Sequence, residues 1–309
     1  MNRLRSTVVA ALGVTLVVTV AGCGSSSNPV GGAASSTGSS APSDTIVIGS
    51  ANFQESTLIA DIYAEALKAK GVKVSTKLNI GAREAYIPGL QDGSIDLIPE
   101  YSGVLLQYFD KAATAVSSND VYAGLQKALP AKLTVLDQSQ AEDKDSIAVT
   151  RDTASKYKLT SIADLSSVAG NLVFGGPPEF KTRPDGVPGL QKIYNVTFGT
   201  FKTLDAGGPL SVNALKNGQV DAADIFTTDP SIQQEGFVVL QDPKNLYAAQ
   251  NVVPLINKAK ASAAVSAALN AVSSKLDTTT LSELVAKVYA KQDPGTVAKE
   301  WLSKVGLRP

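Results

Sequence analysis

Histidine is absent from the 309-residue chain, and cysteine occurs once, at Cys23. Without histidine there is no Ser-His-Asp or Cys-His relay to activate a nucleophile. The same shortage removes the His and Cys sets that hold zinc. No GxxxxGK[ST] loop is present to cradle a nucleotide. Acidic and basic residues balance at 28 each, so no basic field points to nucleic acid. Asp and Glu are plentiful, but dispersed acids ordinarily form a solvated face. A protein that is not an enzyme, carries no cofactor and does not bind nucleic acid is expected. Beyond the first 22 residues no apolar run reaches the length of a membrane span, so a soluble body is expected.

What is present begins with a targeting segment, residues 1–22. Arg3 and Arg5 form a basic start, and Val8 to Val20 is an apolar run too short for a comfortable span. It ends in Val20, Ala21, Gly22 and then Cys23. From Gly24 to Ser43 the chain is Gly, Ser, Ala, Pro, Val, Thr and Asn without a charge. Such a stretch buries too little surface to offset its ordering entropy, and reads as a flexible tether over 23–43.

The body is organised around a duplication. GLQDGSIDLIPEYSG, Gly89 to Gly103, reappears 125 residues later within PLSVNALKNGQVDAADIFTTD. Leu90 then falls on Leu215, Gly93 on Gly218, Asp96 on Asp221 and Tyr101 on Phe226. TIVIGSANF, ending at Phe53, has its own echo in NLVFGGPPEF, ending at Phe180. Each copy reads as a helix end, a Gly turn, a strand and an aromatic-plus-hydroxyl loop. Ligands of open α/β sheets sit on such loops at carboxyl ends of strands.

The order of elements in the first copy is β-α-β-α-β-α, which predicts a parallel, doubly wound sheet. Ser56 to Lys70 has helical spacing with Gly71 as its stop, and Ser118 to Leu129 is a further helix. Two short apolar runs, Ser146 to Thr150 and Asn251 to Ile256, bracket the second copy and are the expected crossovers. The predicted division is therefore lobe 1 over 44–145 and 251–309, and lobe 2 over 146–250. The stretch from Ala261 reads as three helices, starting again near Asp277 and Asp293-Pro294, that pack on lobe 1. Two lobes with facing loops make a hinged cleft suited to a small molecule.

GSANF, GLQDGSIDLIPEYSG, LVFGGPPEFKTRPDGVPGL and FTTD together resemble the substrate-binding proteins of osmoprotectant ABC importers, the glycine betaine, choline and carnitine family. EFKTRPDG is the most specific piece. The resemblance implies an α/β, type II periplasmic-binding-protein fold of two doubly wound lobes joined by two crossover strands. It also implies delivery of a small solute to the permease subunits of an ABC transporter. The Val-Ala-Gly-Cys run resembles a bacterial lipobox, with Val20 where Leu is usual. That implies lipidation of Cys23 and a monomer held at the extracytoplasmic face of the cell membrane by its lipid alone. A lipoprotein that keeps the fold as an interaction or sensor module is the alternative.

In the family, tyrosines cage a quaternary ammonium through their ring faces. Carried over, the cage positions fall on Tyr101, Asp145, Phe226 and Gln250, so one tyrosine survives. Arg183 matches the arginine that holds a carboxylate, with Glu179 expected to orient it. Two other carboxylate-holding positions are Ala51 and Val104. Asn52 and Phe53, in the loop after the first strand, and Thr227 of FTTD are expected to face the cleft. Each lost aromatic wall costs about 0.5–2 kcal/mol toward a quaternary ammonium. The expected ligand is therefore a polar solute, hydroxylated, amine-bearing or aromatic, bound better than glycine betaine; direct pairing of Asp145 with a cation, which favours choline over betaine unless Arg183 shields the betaine carboxylate, is the alternative.

Overall fold

The computed structural model describes residues 44–309; the leader, Cys23 and the tether to residue 43 lie outside the described residues. The ten strands are β1 (Ile46–Gly49), β2 (Val74–Lys77), β3 (Leu97–Tyr101), β4 (Leu133–Val135), β5 (Ile147–Val149), β6 (Val173–Gly176), β7 (Thr200–Thr203), β8 (Ala222–Asp224), β9 (Val238–Val239) and β10 (Val252–Asn257). They form two five-stranded sheets, ordered β2-β1-β3-β10-β4 and β7-β6-β8-β5-β9. The orders are equivalent strand for strand, so the duplication read from sequence is a duplication of whole sheets.

Its atomic signature is the aspartate that follows each Gly turn. In the first sheet Asp96 accepts the Val47 amide on its side chain at 2.9 Å, while the Asp96 amide donates to the Val47 carbonyl at 2.8 Å. In the second, Asp221 does both to Val173, at 2.8 Å each. The turns before them, Gly93 at φ 86° and Gly218 at φ 66°, occupy the left-handed region where a side chain is strained.

The sheets are mixed rather than wholly parallel, which corrects the expectation from element order. β1 to β3, and β6 to β8, are parallel, but β10 runs antiparallel to β3 and β5 antiparallel to β8. The cause is the route of the chain. The strands β3 and β8 end at the cleft, and a strand arriving from the other lobe must enter its sheet there and run the opposite way. The two apolar runs taken for crossovers are these entering strands, and the crossing backbone lies just before each.

Side chains alternate between the two faces of the first sheet. Ile48, Leu97, Val252 and Ile256 pack with helix α1 (Gln54–Ala69) and the C-terminal helices, while Ile98, Val253 and Leu255 pack on the opposite face with Ile87, Leu90 and Leu125. Burying each of the large aliphatic side chains of α1, Leu58, Ile59, Ile62 and Leu67, stabilises the lobe by about 1.5–3 kcal/mol. The second sheet is likewise covered on both faces, by Phe174 and Ile147 on one and Ala148, Ala223 and Leu215 on the other.

The helices predicted near the C-terminus are Ala263–Ser273, Thr278–Tyr289 and Pro294–Lys304. Ser262, Asp277 and Asp293 cap their starts by accepting amides of the first turn. All three pack on α1, as expected. Among the described residues no helix is long and apolar enough to cross a membrane.

Candidate functional site

The equivalent loops at the carboxyl ends of β1, β3, β6 and β8 converge on one cavity of about 140 Å³. An apolar cavity of about 150 Å³ is large enough for benzene, so this one suits a compact solute. Asn52, Phe53, Tyr101, Asp145, Arg183, Phe226 and Gln250 all line it, as do Ala51 and Val104. Thr227 is not among its walls. Its hydroxyl is 3.1 Å from Asp143 Oδ1 and accepts the Lys144 amide at 2.9 Å, which fastens the first crossover segment to the loop after β8.

The loop after β1 is fixed from below. Ser56 Oγ accepts the Ala51 amide at 2.9 Å, and Ser50 Oγ accepts the Asn79 amide at 2.8 Å. Phe53 precedes the first turn of α1 without a side-chain cap, so its ring is free to enter the cleft. There it lies between the two duplicated aromatics, with ring centroids 6.1 Å from Tyr101 and 5.1 Å from Phe226. Gly207 (φ 60°) allows the Phe226 ring to approach the backbone, since a Cβ there would stand 2.7 Å from it.

Glu55, in the first turn of α1, is 4 % exposed and joins the lobes. Tyr101 donates its hydroxyl to Oε1 and Thr228, from the second lobe, donates to Oε2, each at 2.6 Å. Burial pushes the Glu55 carboxyl above its ordinary value, and these two hydrogen bonds oppose that shift in part. The surviving tyrosine thus points its hydroxyl away from the cavity toward a structural carboxylate. Two further contacts cross the cleft. Arg183 meets Glu84 of α2 (Arg83–Asp92) through two bonds of 3.2 and 2.9 Å, and the Tyr289 hydroxyl lies 2.8 Å from Asp229. The partner of Arg183 is therefore Glu84 across the cleft, and not Glu179, whose backbone carbonyl only receives the Arg183 amide.

On the first-lobe side, Arg83 is paired with Glu100 through two bonds of 2.7 Å. Tyr86 donates to the same carboxylate at 2.8 Å, and the Tyr101 amide at 3.0 Å. This group is fully buried and internally neutral. A second cavity of about 420 Å³ adjoins the first, sharing Arg83, Val104 and Arg183 with it and lined also by Lys111, Tyr108 and Asp185.

In the walls of the first cavity the remaining charge is acidic. Asp145 has one weak partner, the Gln250 amide at 3.5 Å, and Asp224 at the end of β8 has none for either carboxylate oxygen. Burial raises the carboxyl pKa of both. The charges of Asp145 and Asp185 add to it at Asp224, whereas Arg183 offsets it in part at Asp145. Asp185 itself is pushed up to about 6, first by burial and then by Asp145. Sequence comparison of the two copies passes over Asp224 because its counterpart is Pro99 in the first. The available signal is a carboxylate at the end of the apolar run of β8, which a solvated face does not require. Glu55, Arg83 and Glu100 gave no such signal, since helix and strand positions carrying charge are common.

Two α/β lobes whose equivalent strand ends enclose a small cavity are the architecture of the type II periplasmic-binding-protein class. Residues 44–304 match the family described as the substrate binding domain of ABC-type glycine betaine transport systems, and the chain belongs to that family. Its members are solute-binding proteins, not enzymes. The chain is 28% identical over 277 residues to the glycine betaine-binding protein YehZ of Escherichia coli (strain K12), covering 84% of this chain and 90% of that one. It is 24% identical to the ergothioneine transport permease/ergothioneine binding protein EgtU of Helicobacter pylori (strain G27), over 85% of this chain and 48% of the other. The crystal structure of a glycine betaine/carnitine/choline ABC transporter protein shares the fold at a TM-score of 0.67 and 22% identity, over 85% of this chain and 99% of that one.

Proposed function

We propose that this chain is an extracytoplasmic lipoprotein that captures a small polar solute in its cleft and delivers it to the permease of an ABC importer. Family membership supports the class, and the lipobox-like run at Cys23 supports the anchor. In this reading the tether lets a monomeric body work at the membrane surface, held by lipid at Cys23 alone.

The ligand follows from the walls. Of the family's cage positions one is tyrosine, Tyr101, and its hydroxyl is committed to Glu55. The others are Phe226, a carboxylate at Asp145 and an amide at Gln250. That surface suits hydrogen bonding to a hydroxylated or amine-bearing solute better than caging a trimethylammonium. The composition of these four positions, set in a wall that also holds Phe53 and Tyr86, is the observation that carries the ligand reading.

Calorimetry against glycine betaine, choline, carnitine, neutral polyols, phenols and small amines tests it. Weak or absent betaine binding beside a tighter polar solute is the expected result. Tight betaine binding that Tyr101→Ala abolishes would show that an aromatic cage operates here, contrary to the proposal.

A further inference from the structure

We infer that the solute is a small organic cation bearing N–H donors, a primary or secondary ammonium or an amidinium, seated on Asp224 with Asp145 beside it. The inference rests on the solute-binding reading and specifies its ligand.

Five acids line the cavity: Asp143, Asp145, Glu179, Asp205 and Asp224. Asp143 is occupied by the Thr228 amide at 3.0 Å and the Thr227 hydroxyl, and Asp205 by the amides of Leu210 and Ser211 at 2.9 and 2.8 Å. Glu179 is partly open to solvent. The two cations in the walls are already spent, Arg83 on Glu100 and Arg183 on Glu84. Asp145 and Asp224 are left without a counter-ion.

Asp224 is the sharper case. It is 0 % exposed, and neither oxygen accepts a hydrogen bond of proper geometry, although the Ser146 amide exerts a weak pull on it. Its neighbour in the field, Tyr247, also has a buried hydroxyl without a partner. Buried polar groups are ordinarily satisfied, and a carboxylate left unsatisfied is costly. A ligand with N–H donors and positive charge supplies what Asp224 lacks.

A quaternary ammonium supplies charge but no donor, so it leaves Asp224 unbonded. N-methylation therefore discriminates between this site and an aromatic cage, whose attraction does not need an N–H. Among the described residues no group of three or more His, Cys, Asp or Glu converges to hold a metal ion, which favours an organic cation.

The test is calorimetry of the wild-type chain at fixed pH and salt with ethanolamine, N-methylethanolamine, N,N-dimethylethanolamine and choline. Affinity should fall along this series, by tenfold or more from first to last. Asp224→Asn should weaken the best amine about 10- to 100-fold, as expected for a hydrogen bond to a charged group, and flatten the series. The wild-type series decides the matter even if the variant does not fold. Affinity that rises or stays level with methylation, or no binding by any of the four, overturns the inference. If a neutral polyol or betaine still binds in that case, the solute-binding reading stands; if no solute binds, it falls too.

Discussion

Thr228 of the second lobe donates its hydroxyl to Glu55 of the first at 2.6 Å, inside a contact that is closed to solvent on both sides. The bond exists only while the lobes are together, so its energy belongs to closure. Hydrogen bonds to charged groups contribute about 1.5–3 kcal/mol. Thr228→Val keeps the shape and removes the donor. It should lower the closed population and weaken the best solute by about tenfold or more, through the fraction competent to bind. Titration calorimetry reads the affinity; an unchanged value would mean that Glu55 is satisfied without the second lobe.

The Arg83–Glu100 pair makes a different prediction. Both groups are buried, and removing one leaves the other charge uncompensated. Arg83→Met should therefore cost about 3–5 kcal/mol of unfolding free energy, measured as a drop in the denaturant midpoint. Replacing Glu100 as well, in Arg83→Met/Glu100→Leu, should restore much of the loss. A double variant as unstable as the single one would contradict this account of the pair.

Acidity should stabilise the solute-free protein. Folding raises the carboxyl pKa of Glu55, Asp143, Asp145 and Asp224, in each case chiefly through burial, and places Asp185 and Asp61 at about 6. The folded protein then holds more protons than the unfolded chain above the ordinary carboxylate range. Stabilisation from these groups is complete below that range and is lost as pH rises through the folded values. Glu84 works the other way, since its bond to Arg183 lowers its pKa against the pull of burial, and its contribution fades in acid. The thermal midpoint should therefore fall between about pH 5 and 7.5. A midpoint that climbs over that interval would refute the assignment.

Much of the fold was legible because the repeat writes it twice. Gly93 and Gly218, Asp96 and Asp221, Tyr101 and Phe226 share one spacing; the glycines and aspartates take the same structural role in each sheet, and both aromatic rings line the cavity beside Phe53. The direction of β5 and β10 was not legible. It follows from the route of the chain between lobes, which leaves no period in the sequence. Seven of the eight predicted cleft residues line one cavity: Asn52 and Phe53 were legible from their loop after β1, and Tyr101, Asp145, Arg183, Phe226 and Gln250 from the family resemblance. Glu55, Arg83 and Asp224 were missed for the opposite reason, since what makes them notable is burial and partnership with distant residues. Arg183 was found but given the wrong partner, as only the folded chain brings Glu84 across the cleft.

Cys23 carries the proposal of a membrane anchor. In the native host, Cys23→Ala should move the protein out of the membrane fraction and into the soluble one, with no change in solute affinity of the purified protein. A variant that fractionates with the membranes as the wild type does would end the lipid-anchor reading.

The central claim is that the two lobes close on a small solute, and solution scattering with and without solute tests it most directly. Saturating solute, chosen from the best binder in calorimetry, should reduce the radius of gyration toward that of the compact form held by Glu55–Thr228, Glu84–Arg183 and Phe53–Phe226. A radius that stays unchanged with every solute tried would contradict the account and favour a module that keeps the fold to bind another protein.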